Sequence, residues 1–420
     1  MTRPTNLRAR YVFPVAGEPI ADGLVSFVDG RIVAVGRRRA GATAASCEDL
    51  GNVAILPGLV NAHAHLDFSD LPAPLGQRGI VLADWIRRVM AYRREAAERL
   101  PSAVNAGLRE SARRGVTTLA DMVQPRQPGP TDAPLSVTAF VELIAPTRDR
   151  VADAMALARE HLDGCHTRQA ASSLLSERSP GLCPHAPYSV HPELLAAIVG
   201  LSSTERAPVA MHLAESLDEL QLLQTGSGPF REFLDELDAA AGRRSATYGG
   251  GLRPMDFLRT LAAAHRALIV HGNYLTDDEI AFLGAQAARM AVVYCPRSHD
   301  WFAHRDYPLA KMLAAGVRVA LGTDGRCSTP DLDMLAEMRF AARRHPGVGF
   351  EQILEMGTIQ GAAALAKDGV RGSLVVGKRA DLAVVALPDR DAADPHALLF
   401  DSDRPVVGCY VGGQRVILGD

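Results

Sequence analysis

The sequence predicts an α/β chain: a (β/α)8 barrel of the TIM type carrying a small β-sandwich formed from both termini. Three observations predict it. The 420 residues are enough for one large barrel and an accessory domain. The middle of the chain alternates short apolar runs with helical stretches, the pattern of repeated βα units. Both ends read instead as short strands joined by tight turns. The expected division is residues 1–55 plus 370–420 for the composite sandwich and 56–369 for the barrel.

In chain order, Leu7–Val12, Gly23–Val28 and Arg31–Val35 are the first strands, with Asp29-Gly30 as a hairpin turn between the last two. Ile55–Asp67, ILPGLVNAHAHLD, carries the first barrel strand, and a helix over Leu82–Glu98 follows. Strands two to eight are expected over Gly115–Asp121, Val137–Ile144, Gly181–Val190, Val209–His212, Ala267–His271, Ala291–Cys295 and Val317–Asp324. Ala380–Ala386 and Val406–Val411 return to strand, and Gly412-Gly413 turns the chain into Arg415–Leu418. The long connection Thr225–Met255, rich in Gly, Ser and Arg, reads equally as a loop covering the substrate or as a disordered insertion.

Composition narrows the function classes. A net charge of -3, from 45 basic and 48 acidic residues, leaves no footprint for nucleic acid or an anionic membrane. Six scattered cysteines without a C-x-x-C pair argue against a zinc ribbon or a disulfide framework and fit a reducing compartment. The first residues lack the apolar core of a signal peptide, and no apolar run reaches membrane-spanning length. A soluble cytoplasmic protein is therefore expected.

The chemistry begins at His63 and His65. Residues two apart on a strand point to the same side, so both imidazoles project together from the strand's C-terminal end. Neutral imidazole is the commonest protein metal ligand. His212, His271 and Asp324 stand at the ends of the expected fifth, sixth and eighth strands. All C-terminal strand ends of such a barrel face one mouth, so these five groups converge. His161, His166, His265, His345 and His396 are set aside as core or surface imidazoles.

PGLVNAHAHLD, HLAES, HGNYL, LGTD and GSLVVGKRADLAVV together resemble the amidohydrolase superfamily, in the branch of mononuclear deaminases and chlorohydrolases. Two-metal members of that superfamily bridge their metals by a carboxylated lysine on strand four. The only lysines here are Lys311, Lys367 and Lys378, so a single metal is implied. The resemblance assigns His63, His65, His212 and Asp324 as ligands of one divalent ion, zinc with iron as the alternative. Such an ion lowers the pKa of its water and makes hydroxide available. By the same resemblance Asp324 accepts the water proton and His271 polarises the attacking oxygen. Glu215, three residues after His212, protonates a ring nitrogen and then helps move a proton to departing ammonia.

Substrate contacts follow from the same comparison. Pro184–Tyr188, PHAPY, is similar to a stretch of adenosine-type deaminases whose histidine reaches the substrate, which implies His185. Arg148 matches an arginine near substrate in that group. Trp85 lies on the helix after strand one. His299 replaces the asparagine of the family's C-P-x-S-N run. Arg78, Arg87 and Arg88 favour a substrate with a carboxylate, since guanidinium pairs with carboxylate in bidentate geometry.

The expected function is thus metal-dependent hydrolytic deamination of an aminopurine nucleoside, with aminodeoxyfutalosine, an intermediate of a menaquinone route, the substrate the resemblance favours. The alternatives are a cyclic-amide hydrolase similar to imidazolonepropionase, another ring-substituent hydrolase, or a non-catalytic scaffold similar to dihydropyrimidinase. The filled ligand positions speak against the scaffold. A small-molecule substrate and a homo-oligomer are the expected partners.

Overall fold

The structure is a computed structural model that describes residues 3–37, 47–126, 134–170, 177–240 and 250–416, with backbone alone for 166–170. Eight parallel strands form the barrel: Leu59–His65, Val116–Val123, Ser136–Leu143, Glu177–Pro184, Val209–Leu213, Ala267–His271, Met290–Tyr294 and a broken eighth strand. The eighth consists of Val319–Leu321, paired with the seventh, and Asp324–Gly325, paired with the first. Those two pairings close the ring. The break spares room at Gly322, where a Cβ would come within 2.8 Å of the His63 Cβ. The fourth strand starts four residues earlier than the sequence suggests, and Pro187–Ser189 after it is a 3-10 turn.

Strands buried on both faces need apolar residues throughout, and the first strand is buried at every position. Val60, Phe140, Ala210 and Val293 pack inside the ring, whereas Leu119, Val141, Met211 and Val292 face the helices outside. Leu82–Glu95 is helical, as expected, and ends at a cap on Ala96.

Both termini contribute to one mixed sheet. In hydrogen-bonded order it runs Gln414–Arg415, Val406–Val411, Leu382–Ala386, Val53–Pro57, Thr5–Val12, Ile20–Val28 and Arg31–Arg37, with Cys47–Asp49 also paired to Thr5–Val12. Asp29 and Gly30 have φ of 47° and 77°, the two positive values a tight hairpin between right-twisted strands requires. Gly412 and Gly413 repeat the device, at 54° and 76°. The expected strand through Leu418 is observed over Gln414–Arg415, and residues 417–420 lie outside the described part.

The sheet folds over on itself as a sandwich does. Phe27 and Tyr410 lie on strands separated by three others, about 19 Å apart in a flat sheet. Their rings are nevertheless 6.4 Å apart. Leu7, Val25, Ile55 and Leu382 fill the space between. The chain leaves this sheet for the barrel at Gly58, where a Cβ would meet the Thr117 side chain at 2.1 Å.

The expected long loop after strand five is partly helical. Pro229–Ala240 buries Phe230 and Phe233 beside Leu82, Ala83 and Tyr188 at the barrel mouth, and Phe230 stands 4.6 Å from the Tyr188 ring. Residues 241–249 of that connection are outside the described part. Among the described residues no helix is long and apolar enough to cross a membrane.

Candidate active site

His63, His65 and His212 each place a ring nitrogen within 4.8 Å of the others. Simple alternation does not explain this, because Val60 and Ala62 already face the interior. A bulge does. Asn61 pairs with Leu119 and Ala64 with Asp121, so three steps on strand one answer two on strand two. The extra residue reverses the parity and turns both histidines inward. Asn61 holds the irregularity: its Oδ1 accepts from Thr323 N at 3.1 Å and its Nδ2 donates to Thr323 Oγ1 at 2.8 Å.

His212 follows alternation from Ala210. Its Nδ1 donates to the His185 carbonyl at 3.0 Å, which leaves Nε2 free to ligate. His271 would point outward with Ile269, but its φ of 69° breaks the alternation, and its ring lies 5.6 Å from His63 and 5.5 Å from His212. Tyr307 fixes it by donating to the His271 carbonyl at 2.9 Å. Asp324, with φ of 62°, brings Oδ1 to 3.6 Å from His63 Nε2 and 3.7 Å from His65 Nε2. Ser298 and Ser328 donate to its Oδ2 at 2.7 and 2.8 Å. Positive φ at non-glycine residues is strained, and here it recurs where strand ends carry the polar groups.

These residues suit a metal ion. Both ring nitrogens of His63 and Nδ1 of His65 are buried with no hydrogen-bond partner among the described residues. A buried orphan nitrogen costs about 1–3 kcal/mol, and an ion bound there would remove that cost. Three imidazoles and a carboxylate are a donor set for zinc or iron.

Residues 54–416 match the amidohydrolase family. The chain belongs to that family. It is a hydrolase acting on carbon–nitrogen bonds. The 5-methylthioadenosine/S-adenosylhomocysteine deaminase of Moorella thermoacetica is 29% identical over 405 residues, covering 92% of this chain and 85% of that protein. The aminodeoxyfutalosine deaminase of Deinococcus radiodurans is 31% identical over 314 residues, 72% of this chain and 71% of that one. The crystal structure of Helicobacter pylori aminofutalosine deaminase with methylthio-coformycin superposes with a TM-score of 0.81 at 22% identity, covering 98% of this chain and all of that one. This last likeness concerns the fold.

The electrostatics of this amidohydrolase separate its groups. Burial pushes His65 down to about 4 and His271 to about 3. It drives His212 well below the ordinary value, with the surrounding imidazoles pushing the same way. These three rings are therefore neutral at pH 7, the form that ligates metal. Burial opposes ionisation of Asp324, but His63, His65 and His271 outweigh it and hold the carboxyl well below its usual range. Glu215 goes the other way. Burial, with the Asp324 and Glu219 carboxylates adding, pushes it well above the usual range. Its Oε1 is 3.5 Å from His271 Nε2. Two carboxyls pushed apart in one site can serve as acid and base.

Not every residue expected at the amidohydrolase site belongs to this cluster. His185 does: its ring is 5.1 Å from His212, and its Nδ1 meets Ser189 Oγ at 2.8 Å. Trp85 lies at the rim, donating to the Cys327 carbonyl at 2.9 Å with its ring against Phe302. His299 does not join the histidine group. It is packed among Tyr294, His304 and Tyr307, because the helix Pro296–Trp301 points Ser298 at Asp324 and its neighbour elsewhere. Arg148 is a surface residue, its side chain 78% exposed and paired with Glu193 at 3.2 Å. Arg78 is paired with Asp300, and Arg87 with Asp84 and Glu236, so both guanidiniums already hold carboxylates of the protein.

Glu142, Ser298, Ser328 and Glu219 are neighbours of the site that the sequence reading missed. Glu219 accepts from Ala214 N at 2.9 Å and Glu215 N at 2.8 Å, holding the turn that presents Glu215. A lone glutamate inside the apolar run VTAFVELI was the available signal for Glu142.

Proposed function

We propose that this chain is a metal-dependent hydrolytic deaminase of an adenosine-like nucleoside, with aminodeoxyfutalosine as the leading substrate. The barrel of residues 56–369 would be the catalytic unit, supported by the composite of 1–55 and 370–420. The observation that carries the reading is Glu215, buried 3.5 Å from His271 Nε2 and pushed well above the carboxylate range. A deaminase needs a carboxyl that still carries its proton at neutral pH.

His63, His65, His212 and Asp324 would hold one divalent ion, zinc first and iron as the alternative. When bound, that ion supplies a Lewis acid that brings the pKa of water towards neutrality. Glu215 gives its proton to the ring nitrogen beside the amino-bearing carbon. Asp324, whose Oδ2 accepts hydrogen bonds from Ser298 and Ser328, takes the proton that water releases. His271, neutral and anchored by Tyr307, orients the attacking oxygen between the two carboxyls. The amino group leaves as ammonia with protons passed through Glu215, and the ring keeps oxygen in its place.

The relatives named for methylthioadenosine, S-adenosylhomocysteine and aminodeoxyfutalosine support a nucleoside with a variable arm beyond the sugar. With Arg78 and Arg87 engaged, Arg88, exposed on the helix Leu82–Glu95, is the one of these three arginines left for a carboxylate arm. The test is ammonia release by metal-loaded protein from aminodeoxyfutalosine, adenosine, methylthioadenosine and S-adenosylhomocysteine. Fastest turnover of aminodeoxyfutalosine supports the leading choice, and a faster neutral nucleoside replaces it. Silence on the whole panel with metal bound would refute deamination of these nucleosides and make cyclic-amide hydrolysis the next assay.

A further inference from the structure

Glu142 ends the third barrel strand on the same inward parity as Phe140 and is 2% exposed. One of its oxygens is occupied. Oε2 accepts from Gln124 Nε2 and lies 3.3 Å from Arg93 Nη2. Arg93 is itself fixed, donating from Nε to Asp67 Oδ2 at 2.9 Å and lying over the Phe68 ring. Oε1 is different. The nearest ring nitrogen is His185 Nε2 at 4.0 Å, beyond hydrogen-bond reach, and no described residue donates to Oε1.

Glu142, His185 and His212 also bring ligand-type atoms within 4.8 Å of one another. They do not make a second metal site. His212 Nδ1 is committed to the His185 carbonyl, and His212 is already shared with the His63 and His65 group. A carboxylate oxygen with unused lone pairs therefore faces the site and lacks a donor.

We infer that Glu142 is a specificity residue whose Oε1 accepts a hydrogen bond from a sugar hydroxyl of the substrate. The inference rests on the nucleoside deaminase reading. The donors of an adenosine-type nucleoside are its amino group and its sugar hydroxyls. The amino group belongs at the reacting carbon, beside Glu215 and His271 of the fifth and sixth strands. Glu142 and His185, from strands three and four, stand on the other side of His212 and face the rest of the substrate. Asp84, on the helix after strand one, is exposed and engaged by Arg87. The same carboxylate excludes an anionic group from this side by like-charge repulsion.

The experiment compares kcat/KM of wild type and Glu142→Gln on the best nucleoside of the panel and on its 2′,3′-dideoxy counterpart, with metal content measured in each protein. Glu142→Gln should lose about 10- to 100-fold on the hydroxylated substrate, chiefly through KM. It should change the dideoxy substrate by less than about 3-fold, because the two deletions remove one shared interaction. Equal losses on both substrates would overturn the inference and leave Glu142 as the counter-charge of Arg93. Glu142→Asp keeps that charge pair while withdrawing the free oxygen. It should show the same substrate-dependent loss, and wild-type behaviour on both substrates would contradict the inference. Silence of the wild type on every nucleoside would instead overturn the deaminase reading, and this inference with it.

Discussion

A buried imidazole with neither nitrogen bonded is costly unless something else binds it, and His63 is in that position. His63→Ala should therefore lose metal and activity together, as read by metal analysis of the purified protein; retained metal would break the ligand assignment. Asp324 is held by two hydroxyl donors, from Ser298 and Ser328. Replacing both serines by alanine should weaken metal binding by about 10- to 100-fold without unfolding the chain, measured by competition with a chelator. Single residues were unevenly legible in the sequence. The two-residue spacing of His63 and His65 and the three-residue spacing of His212 and Glu215 are local, so a reader of the chain finds them. Ser298 meets Asp324, and Glu142 meets Arg93 and His185, from distant parts of the chain, and their one-letter context carries little of that. His299 stands next to the residue that turns inward and packs among Tyr294, His304 and Tyr307, contacts its one-letter context does not carry.

At the scale of elements, periodicity located all eight barrel strands but not the irregularities that aim the site. The bulge after Asn61, the left-handed residues His271 and Asp324 and the break in strand eight are each a local departure from alternation. They arise from packing between strands far apart in the chain, which alternation cannot encode. Asn61→Ala tests this directly. It removes the acceptor of Thr323 N and the donor to Thr323 Oγ1, so it should cost about 1–3 kcal/mol by denaturant unfolding. It should also loosen metal binding, because the bulge presents both histidines. Unchanged affinity would mean that the bulge persists without its asparagine.

For the whole molecule, the sequence foretold that both ends would meet, since β-only ends flank an alternating middle. What ties that composite to the barrel was not visible. Arg371, 2% exposed, pairs with Asp381 beside the terminal sheet and donates to Glu177 at the start of barrel strand four, at 2.7 Å. Lys367 donates to the same glutamate at 2.8 Å. Burial pushes the Glu177 carboxyl up, but Lys367 and Arg371 outweigh it and hold it at about 2. Its folded value lies below the unfolded 4.5, so this contribution is complete above about pH 4.5 and disappears as pH falls towards 2. Arg371→Met removes one cation from buried Asp381, which keeps Arg379 at 3.6 Å and the Gly412 N–H, and should cost about 1.5–3 kcal/mol. Thermal unfolding should show a lowered Tm, and acid unfolding should begin at higher pH than in wild type. An unchanged acid midpoint would show that the ion cluster does not govern acid stability.

The central claim is hydrolytic release of ammonia by a metal-loaded site in which Glu215 moves the proton. Its most direct test is ammonia production from the best nucleoside by wild type and Glu215→Gln, each with metal counted. The account predicts about one metal per chain in both. It predicts turnover in the variant lower by about 10²–10⁴-fold. A variant that keeps its metal and turns over at the wild-type rate would contradict it.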